Sequence, residues 1–580
     1  MEKWFIKNKK ADFGLIAKTF GVSEVLARLA VNRGVKSNEE MMQYLNPSIE
    51  NIPSPLLMKD MEKCCDILKK KIEEKKLIRI IGDYDVDGVM STYILYCGLE
   101  RCGAKVDYEI PDRMKDGYGI NVQLIEEAIE SGVDTILTCD NGISAKQQIQ
   151  HGKEQGLTIL VTDHHDVPID EGVPEADAVV NPKQEDCNYP FEGICGASVA
   201  FKLVSVLYQK YGIDAKEMEE FIPFAAIATV CDVMDLVGEN RAIVKEGLGR
   251  ISKTKNLGLK ALIEETGLTG KEITAYHLGF IIGPCINASG RLESAKLGLS
   301  MLLSKEEKKA SDLAKELKKL NDERKEMTAE NLEKAIEQVE NSDLMEDKVL
   351  VIYLPECHES LAGIIAGRLR ERYNKPSIVL TKAKDGVKGS GRSIEEYHMF
   401  QELSKCKNYL TKFGGHPMAA GLSLEEENIE PFREALNQQT ALTEEDLIPK
   451  ISFDMVLPLE TISIPLIREM ELLEPYGKAN QRPLFAIRDV IVTKASVIGK
   501  LKNMLRLTIK TTTGAGIYIG MLFRDYDRFV ECVEEKHGTG TMEQLINGTS
   551  SGVGMDFIFY PSVNEYNGYE SIQIIIETFR

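Results

Sequence analysis

The sequence predicts an α/β protein with several domains. A doubly wound, mainly parallel sheet domain spans residues 56–303, a long connector helix 304–343, a second, smaller α/β domain 344–445 and a C-terminal β-unit 446–580, all preceded by a helical segment over 1–55. Three observations carry this reading. From about residue 56 to 300, apolar strand-like runs alternate with helix-like stretches, the pattern of a parallel sheet. Residues 304–342 are charged and hold neither Gly nor Pro. After residue 450 the pattern changes to short β-runs between Gly and Asn turns, which suit a small barrel or sandwich.

Residues 1–55 read as a small helical entry that ends in Pro47, Pro53 and Pro55. In the first α/β domain, Leu77–Ile81, Thr135–Thr138 and Leu157–Thr162 read as strands, and Asn121–Glu130 and Ser144–Gly156 as helices. Met218–Val233 is ambiguous by period; its alanines and phenylalanines favour a helix. In the connector, Leu313, Leu317, Leu320, Met327, Leu332, Ala335 and Ile336 recur mostly at steps of three and four, the stripe of a long amphipathic helix. Its lysines read as a solvated face rather than a rail for DNA. Lys348–Tyr353 and Ser377–Thr381 read as strands of the second α/β domain. The C-terminal runs are Ile451–Met455, Ala486–Ile491, Met504–Ile509, Ile517–Phe523, Met555–Tyr560 and Ser571–Glu577, with His537–Gly554 expected as a flexible loop.

The chain has 580 residues, 43% of them hydrophobic and 28% charged, values of a globular protein with several domains. The twelve cysteines are scattered without a repeated CxxC pair and read as reduced thiols of a cytoplasmic protein. No apolar run of about 18 residues is present, so no membrane span is expected, and Met1-Glu2-Lys3-Trp4-Phe5 does not open a signal peptide. The net charge of −20 argues against a chain that is basic throughout. It does not exclude nucleic acid, because affinity depends on local phosphate contacts.

The densest chemistry lies between residues 80 and 235. Asp83, Asp85 and Asp87 crowd the segment Gly82–Gly88, an arrangement that is unfavourable unless a cation holds it. Gly88 is expected to open a helix over about Val89–Glu100, whose N-terminus can face a phosphate. A calcium loop would need Glu at position 94, where the chain has Ile94. Asp140 follows the second strand; taken alone it would more often be a helix cap, with Asn141-Gly142 supporting a turn. Asp163-His164-His165 follows the third: His164 can bind metal, His165 can face a phosphate, and Asp163 can orient a histidine. Asp232 gains weight from this company. In an open α/β sheet the carboxyl ends of strands form the ligand crevice. Carboxylates and histidines gathered there suit one or two ions of Mn²⁺ or Mg²⁺. Two such ions about 3.5–4 Å apart, bridged by Asp140, would serve an in-line phosphoryl displacement.

The second α/β domain adds two Gly-rich loops that can receive phosphate. One holds Ser390 and Arg392, the other Gly414, Gly415 and His416. Asn287–Arg291 is a third candidate loop, with Arg291 as its candidate phosphate contact. Lys494, Lys500, Lys502, Arg506 and Lys510 lie across two C-terminal β-runs, either as a strip for single strands or as ordinary surface charge.

These residues resemble the DHH phosphoesterase superfamily, and within it the bacterial exonucleases specific for single-stranded DNA. Gly82–Gly88 with Ser91-Thr92 is similar to the first family motif, and Asp140–Ser144 to the second. Val180–Lys183, Tyr189–Phe191, Cys195–Ala197 and Phe201–Leu203 resemble the stretch between the third and fourth. Gly414–Gly421 resembles the signature of the DHH-associated domain. Glu474–Gly477 with Asn480, Pro483 and Phe485 resembles the entry to an OB-fold, here a nucleic-acid-binding barrel over 446–580. The resemblance implies two ions of Mn²⁺ or Mg²⁺ on Asp85, Asp87, Asp140, His164 and Asp232, with His165 at the scissile phosphate. It implies Arg291, Arg392 and His416 on the DNA, and 5′→3′ degradation of single strands to 5′-mononucleotides. The implied setting is recombination and repair, with a single-strand-binding protein as partner and the enzyme as a monomer.

Two positions depart from the pattern. Ile81 stands where many relatives carry a histidine, which either weakens the first metal site or passes a ligand role to Asp83, and Ser198 replaces a small glycine. The rival readings are a DHH phosphodiesterase for short oligoribonucleotides or cyclic dinucleotides, and a degenerate scaffold. Residues 450–580 argue against the first, and the filled ligand positions against the second.

Overall fold

The computed structural model describes residues 2–112, 119–384, 386–512 and 516–580. They form two compact units. Ser54–Asp232 and Arg250–Pro449 make up most of the first, and Trp4–Pro53, Val233–Gly249 and Lys450–Arg580 the second.

The first unit is built on the expected parallel sheet. Its strands are β1 (Leu77–Ile81), β2 (Lys105–Glu109), β3 (Thr135–Cys139), β4 (Thr158–Thr162) and β5 (Ala178–Val180), in the spatial order β2-β1-β3-β4-β5. All five residues of β3 are buried, as a sheet covered on both faces requires. Ile81 pairs with Thr138 and Cys139 with Thr162, so β1, β3 and β4 end on one edge. The strand order reverses between β1 and β3, which opens a crevice there.

Three helices carry the crevice. α1 (Val86–Arg101) starts three residues earlier than the expected Val89, because Asp85 caps it by accepting the Gly88 N–H at 3.1 Å. The acidic segment therefore runs directly into a helix instead of preceding it. α2 (Gly196–Tyr211) and α3 (Ile222–Cys231) follow, the latter in the segment whose period was ambiguous. α4 (Glu307–Glu340) is the long connector. Its buried stripe includes Ala310, Ala314, Leu317, Ala335 and Val339, so small residues complete a face that the large ones only partly mark.

The second α/β domain lies in the same unit. Its strands are β6 (Leu350–Tyr353), β7 (Ser377–Lys382), β8 (Val387–Arg392), β9 (Lys412–Gly415) and β10 (Ala419–Leu424), ordered β9-β10-β8-β7-β6, with α5 (Ala362–Tyr373) packed on β7 and β8.

In the second unit, β11 (Phe485–Ile498), β12 (Met504–Lys510), β13 (Ile517–Leu522), β14 (Val553–Tyr566) and β15 (Tyr569–Phe579) pair in the order β11-β12-β13-β15-β14. Pairing of β11 with β14 closes this ring of strands. Three of them are longer than the apolar runs suggested, because polar residues on the outer face continue the alternation. The expected loop His537–Gly554 contains a helix, Thr541–Asn547, which buries Thr541, Met542 and Leu545. Glu534 fixes its start by accepting the Met542 N–H at 3.0 Å. The N-terminal helices Phe13–Phe20, Glu24–Asn32 and Asn38–Leu45 follow a short strand, Lys3–Ile6. Leu26, Leu29, Met41 and Leu45 share the apolar core of Phe485, Leu505 and Phe557. Arg241, 1% exposed, donates to the carbonyls of Tyr44, Leu472 and Leu473, tying three chain segments together.

Candidate metal centre and adjoining cleft

Each acidic motif is placed by backbone contacts. Gly82 and Gly88 let the first motif fold tightly: a Cβ on Gly88 would lie 2.3 Å from the Asp83 carbonyl oxygen. Asn287 accepts the Val86 N–H at 3.1 Å and pins the start of α1. Asp87, in the first turn of α1, accepts the N–H groups of Gly196 at 2.6 Å and Ala197 at 2.7 Å. The N-terminus of α2 thus holds this buried carboxylate, as its dipole favours. Asp140 has φ of 60°, a left-handed turn. Asn141 supports the turn by donating to the carbonyls of Ile81 at 3.0 Å and Cys139 at 2.9 Å, and by accepting the Ile120 N–H at 3.1 Å.

The third motif divides its labour. One Asp163 oxygen accepts the Ile143 N–H at 2.9 Å; the other accepts the His164 N–H at 2.7 Å and lies 2.8 Å from His165 Nδ1. The Asp163 oxygens therefore face the backbone and His165, and Asp163 is not among the three ligand groups found among the described residues. Asn181 secures the His165 carbonyl at 2.9 Å. His164 Nε2 lies 3.0 Å from Asp140, 3.5 Å from Asp87 and 3.7 Å from Asp232, the residue after α3.

Potential ligand atoms gather in three overlapping groups: Asp83, Asp85 and Asp140; Asp87, His164 and Asp232; and Asp140, His164 and His165. Within each, the atoms lie within 4.8 Å of one another. Asp140 belongs to two groups, the position a bridging carboxylate would take. Asp83 stands with Asp85 and Asp140, while Ile81 joins the apolar cluster of Ile120, Ile125 and Val161.

The electrostatics call for cations. Burial pushes the Asp140 carboxyl well above the usual range, and the charges of Asp87, Asp85 and Asp83 add to this. Burial and Asp87 likewise raise Asp85. Burial, with Asp87 and Asp85, pushes Asp232 up to about 8. Burial lowers His164, overcoming the pull of Asp87, so its imidazole is neutral; both ring nitrogens are buried without a hydrogen-bond partner. Burial alone would lower His165, but its hydrogen bond to Asp163 and the surrounding carboxylates push it up to about 9. Burial also opposes ionisation of Asp163, yet His165 and the Ile143 N–H hold that carboxyl below its usual range. Burial raises the neighbouring thiols Cys139, Cys195 and Cys231. A neutral imidazole among crowded carboxylate oxygens fits divalent ions such as Mn²⁺ or Mg²⁺.

A cleft of ≈ 380 Å³ is lined by Tyr84 of the first motif together with Arg291, Ser390 and Arg392. Arg291 is braced on the Ser360 carbonyl at 2.7 Å, and Arg392 on Ser390 Oγ at 3.0 Å and the Gly391 carbonyl at 2.8 Å. Gly363 of α5 makes room for them, since a Cβ there would lie 2.7 Å from Arg392 Nη2. Ser390 pairs with Gly421 and Gly421 with Gly414, so the second glycine loop lies two strands away. Gly414, Gly415 and His416 are exposed. His416 helps, after the ion pair with Lys183, to hold the Asp166 carboxyl low, which places it near the Asp163–His165 loop. Lys494, Arg506 and Lys510 are exposed on β11 and β12, whereas Lys500 and Lys502 fall on the turn between these strands.

The sequence reading did not assign roles to Gly196, Ala197, Asn181, Asn287 or Gly363. Gly196 and Ala197 act through backbone N–H groups, Gly363 by lacking a side chain, and Asn181 and Asn287 through side-chain amides on distant backbone groups, none of which residue chemistry alone announces.

Comparison with known proteins matches the DHH family, N-terminal domain, to residues 77–229, the DHHA1 domain to 346–441 and the RecJ OB domain to 453–578. The single-stranded-DNA-specific exonuclease RecJ of Bacillus subtilis is 34% identical, over 99% of this chain and 70% of its own length. That of Escherichia coli is 32% identical over 95% of both. Among solved structures, RecJ of Thermus thermophilus in complex with Mn²⁺ superposes with a TM-score of 0.82 at 27% identity, covering 100% of this chain and 79% of that one. The Mg²⁺ complex gives 0.77 at 26%, covering 100% and 78%.

Proposed function

Because the chain belongs to the RecJ family of DHH phosphoesterases, we propose that it is a metal-dependent exonuclease that degrades single-stranded DNA in the 5′→3′ direction to 5′-mononucleotides. The observation that carries the reading is His164, whose buried Nε2 faces Asp87, Asp140 and Asp232 at 3.0–3.7 Å. Asp85, Asp87, Asp140, His164 and Asp232 would hold two ions of Mn²⁺ or Mg²⁺, with Asp140 between them and Asp83 beside Asp85. Ions so held supply a Lewis acid for the phosphate and lower the pKa of an attacking water.

The remaining work falls to the chain's own groups. Asp163 fixes the His165 ring through Nδ1, so that Nε2 would serve as the donor to a non-bridging phosphate oxygen. The α2 N–H groups hold the Asp87 oxygens in place. Arg291, Arg392 and Ser390 offer donors to strand phosphates in their cleft, and His416 adds another at its exposed loop. The exposed basic residues of β11 and β12 support contact with a single strand along the barrel. The direction of attack and the nature of the product rest on the family resemblance. So do a role in recombination and repair, a single-strand-binding protein as partner, the monomeric state and the cytoplasm as location. Among the described residues no helix is long and apolar enough to cross a membrane.

One assay tests the reading. The protein is incubated with Mn²⁺ and 5′- or 3′-labelled single strands, a duplex and a dinucleotide. Mononucleotides released from the 5′ end of the single strand alone are expected. Turnover confined to the dinucleotide, or release from the 3′ end, would overturn it.

A further inference from the structure

The helical run Ala275–Leu292 ends in Arg291 of the cleft and begins with an exposed aromatic pair. Tyr276 and Phe280 are 62% and 65% exposed, although their rings stack at 5.0 Å with an interplanar angle of 24°. Two large rings held together yet open to water are poorly explained by folding, which gains by burying such area. The turn that carries Phe280, Leu278–Ile282, is a π-helix. Such turns are rare and frequently found at functional sites.

The run packs against the segments that carry Asp232 and Asp85. Leu278 accepts the Cys231 thiol at 3.5 Å, and a Cβ on Gly279 would lie 3.4 Å from Val230 Cγ1. Cys231 is the last residue of α3, and Asp232 follows it. Farther along, Asn287 accepts the Val86 N–H next to Asp85 and Asp87. Phe280 and Arg291 are eleven residues apart, about 16 Å along a helix. One element thus joins aromatic faces, the carboxylate cluster and a cleft arginine. His277 Nδ1 accepts the Thr274 N–H at 3.0 Å, and the His277 ring lies edge-on to that of Tyr276 at 5.8 Å.

We propose that Phe280, braced by Tyr276, is a base-stacking platform for a nucleotide of the single strand whose phosphate occupies the metal centre. The inference rests on the exonuclease reading. Stacking accepts any base, which suits an enzyme that must pass every nucleotide through one site. Paired bases in a duplex do not present a free face to the ring, so the platform would also favour single strands.

Steady-state kinetics of the full chain with Mn²⁺ would compare an oligothymidylate with the same strand carrying a run of abasic residues. Phe280→Ala should raise KM for the base-bearing strand roughly tenfold, the scale of one lost stacking contact. It should leave kcat and the KM for the abasic strand unchanged, and Phe280→Trp should restore wild-type KM. A Phe280→Ala variant that raises both KM values equally, or neither, overturns the proposal; the latter would fit a ring that docks a protein. A wild-type chain inactive on both strands would instead bring down the exonuclease reading, and this inference with it.

Discussion

Gly196 and Asp140 approach so closely that a Cβ on Gly196 would lie 2.8 Å from the Asp140 Cβ and 3.1 Å from its Cα. The same glycine donates its N–H to Asp87 at 2.6 Å. One residue without a side chain therefore sets the spacing of two candidate ligands that are 53 positions apart in the chain, from 87 to 140. Gly196→Ala should displace one of them. Supporting partners of metal ligands are typically worth about 10–100-fold in affinity or activity. A loss of that size is expected in Mn²⁺ affinity, read by titration of activity, with an unchanged circular dichroism spectrum. Wild-type Mn²⁺ affinity in Gly196→Ala would refute this role.

Asp140→Ala separates function from stability. Asp140 is buried among like charges, so in the absence of cations it opposes folding. Its removal should abolish turnover while leaving the melting temperature in EDTA equal to or above that of wild type. The variant should also lose most of the melting-temperature rise that Mn²⁺ gives the wild type, because binding to the folded state alone stabilises it. Turnover by Asp140→Ala would remove the bridging assignment.

Arg392 is braced by Ser390 and the Gly391 carbonyl and faces the cleft. If it meets a strand phosphate, Arg392→Ala should weaken binding about equally for all sequences. It should also reduce the slope of log K against log[salt] by about 1. Arg392→Lys should recover the charge but not the fork, and so only part of the affinity. Fluorescence anisotropy of labelled single strands across a salt series measures both. An unchanged salt slope would exclude the phosphate contact.

Much of this architecture is legible in the sequence, for physical reasons. β1, β3 and β4 are short apolar runs closed by acidic motifs, and a parallel sheet buried on both faces can hardly read otherwise. The acidic and histidine side chains that gather at its edge stand out by their chemistry, whereas Asn181 beside them does not. What the sequence hides is of three kinds. The start of α1 depends on an Asp85 cap that an acidic cluster disguises as a loop. The helix Thr541–Asn547 sits in a Gly- and Ser-rich stretch whose few apolar residues are buried by neighbours far away in the chain. Gly196, Gly363 and Asn287 act through space they leave empty or through one backbone bond, and only the folded chain brings their partners to them.

Metal and pH should be linked. Asp85, Asp140 and Asp232 all have raised pKa values in the fold, Asp232 to about 8. A carboxyl raised above its unfolded value of about 4 binds more protons when folded, so stability falls as pH rises through that interval. For Asp232 the loss is complete only above about 8. His165, raised to about 9, acts in the same direction: the stability it contributes is present below about pH 6.5 and is lost as pH rises through the folded value. Asp163, held low, has the opposite slope, but its window lies below about pH 4. In EDTA the melting temperature should therefore drop between pH 6 and pH 9. Mn²⁺ must displace these protons to bind, and its stabilisation should grow across the same interval. Differential scanning fluorimetry at pH 6.0, 7.5 and 9.0, with and without Mn²⁺, measures this directly. Asp232→Asn should flatten part of the fall in EDTA. A metal-induced rise that is the same at every pH would mean that these carboxyls are already ionised in the free protein, and that the cluster needs no cation to hold it.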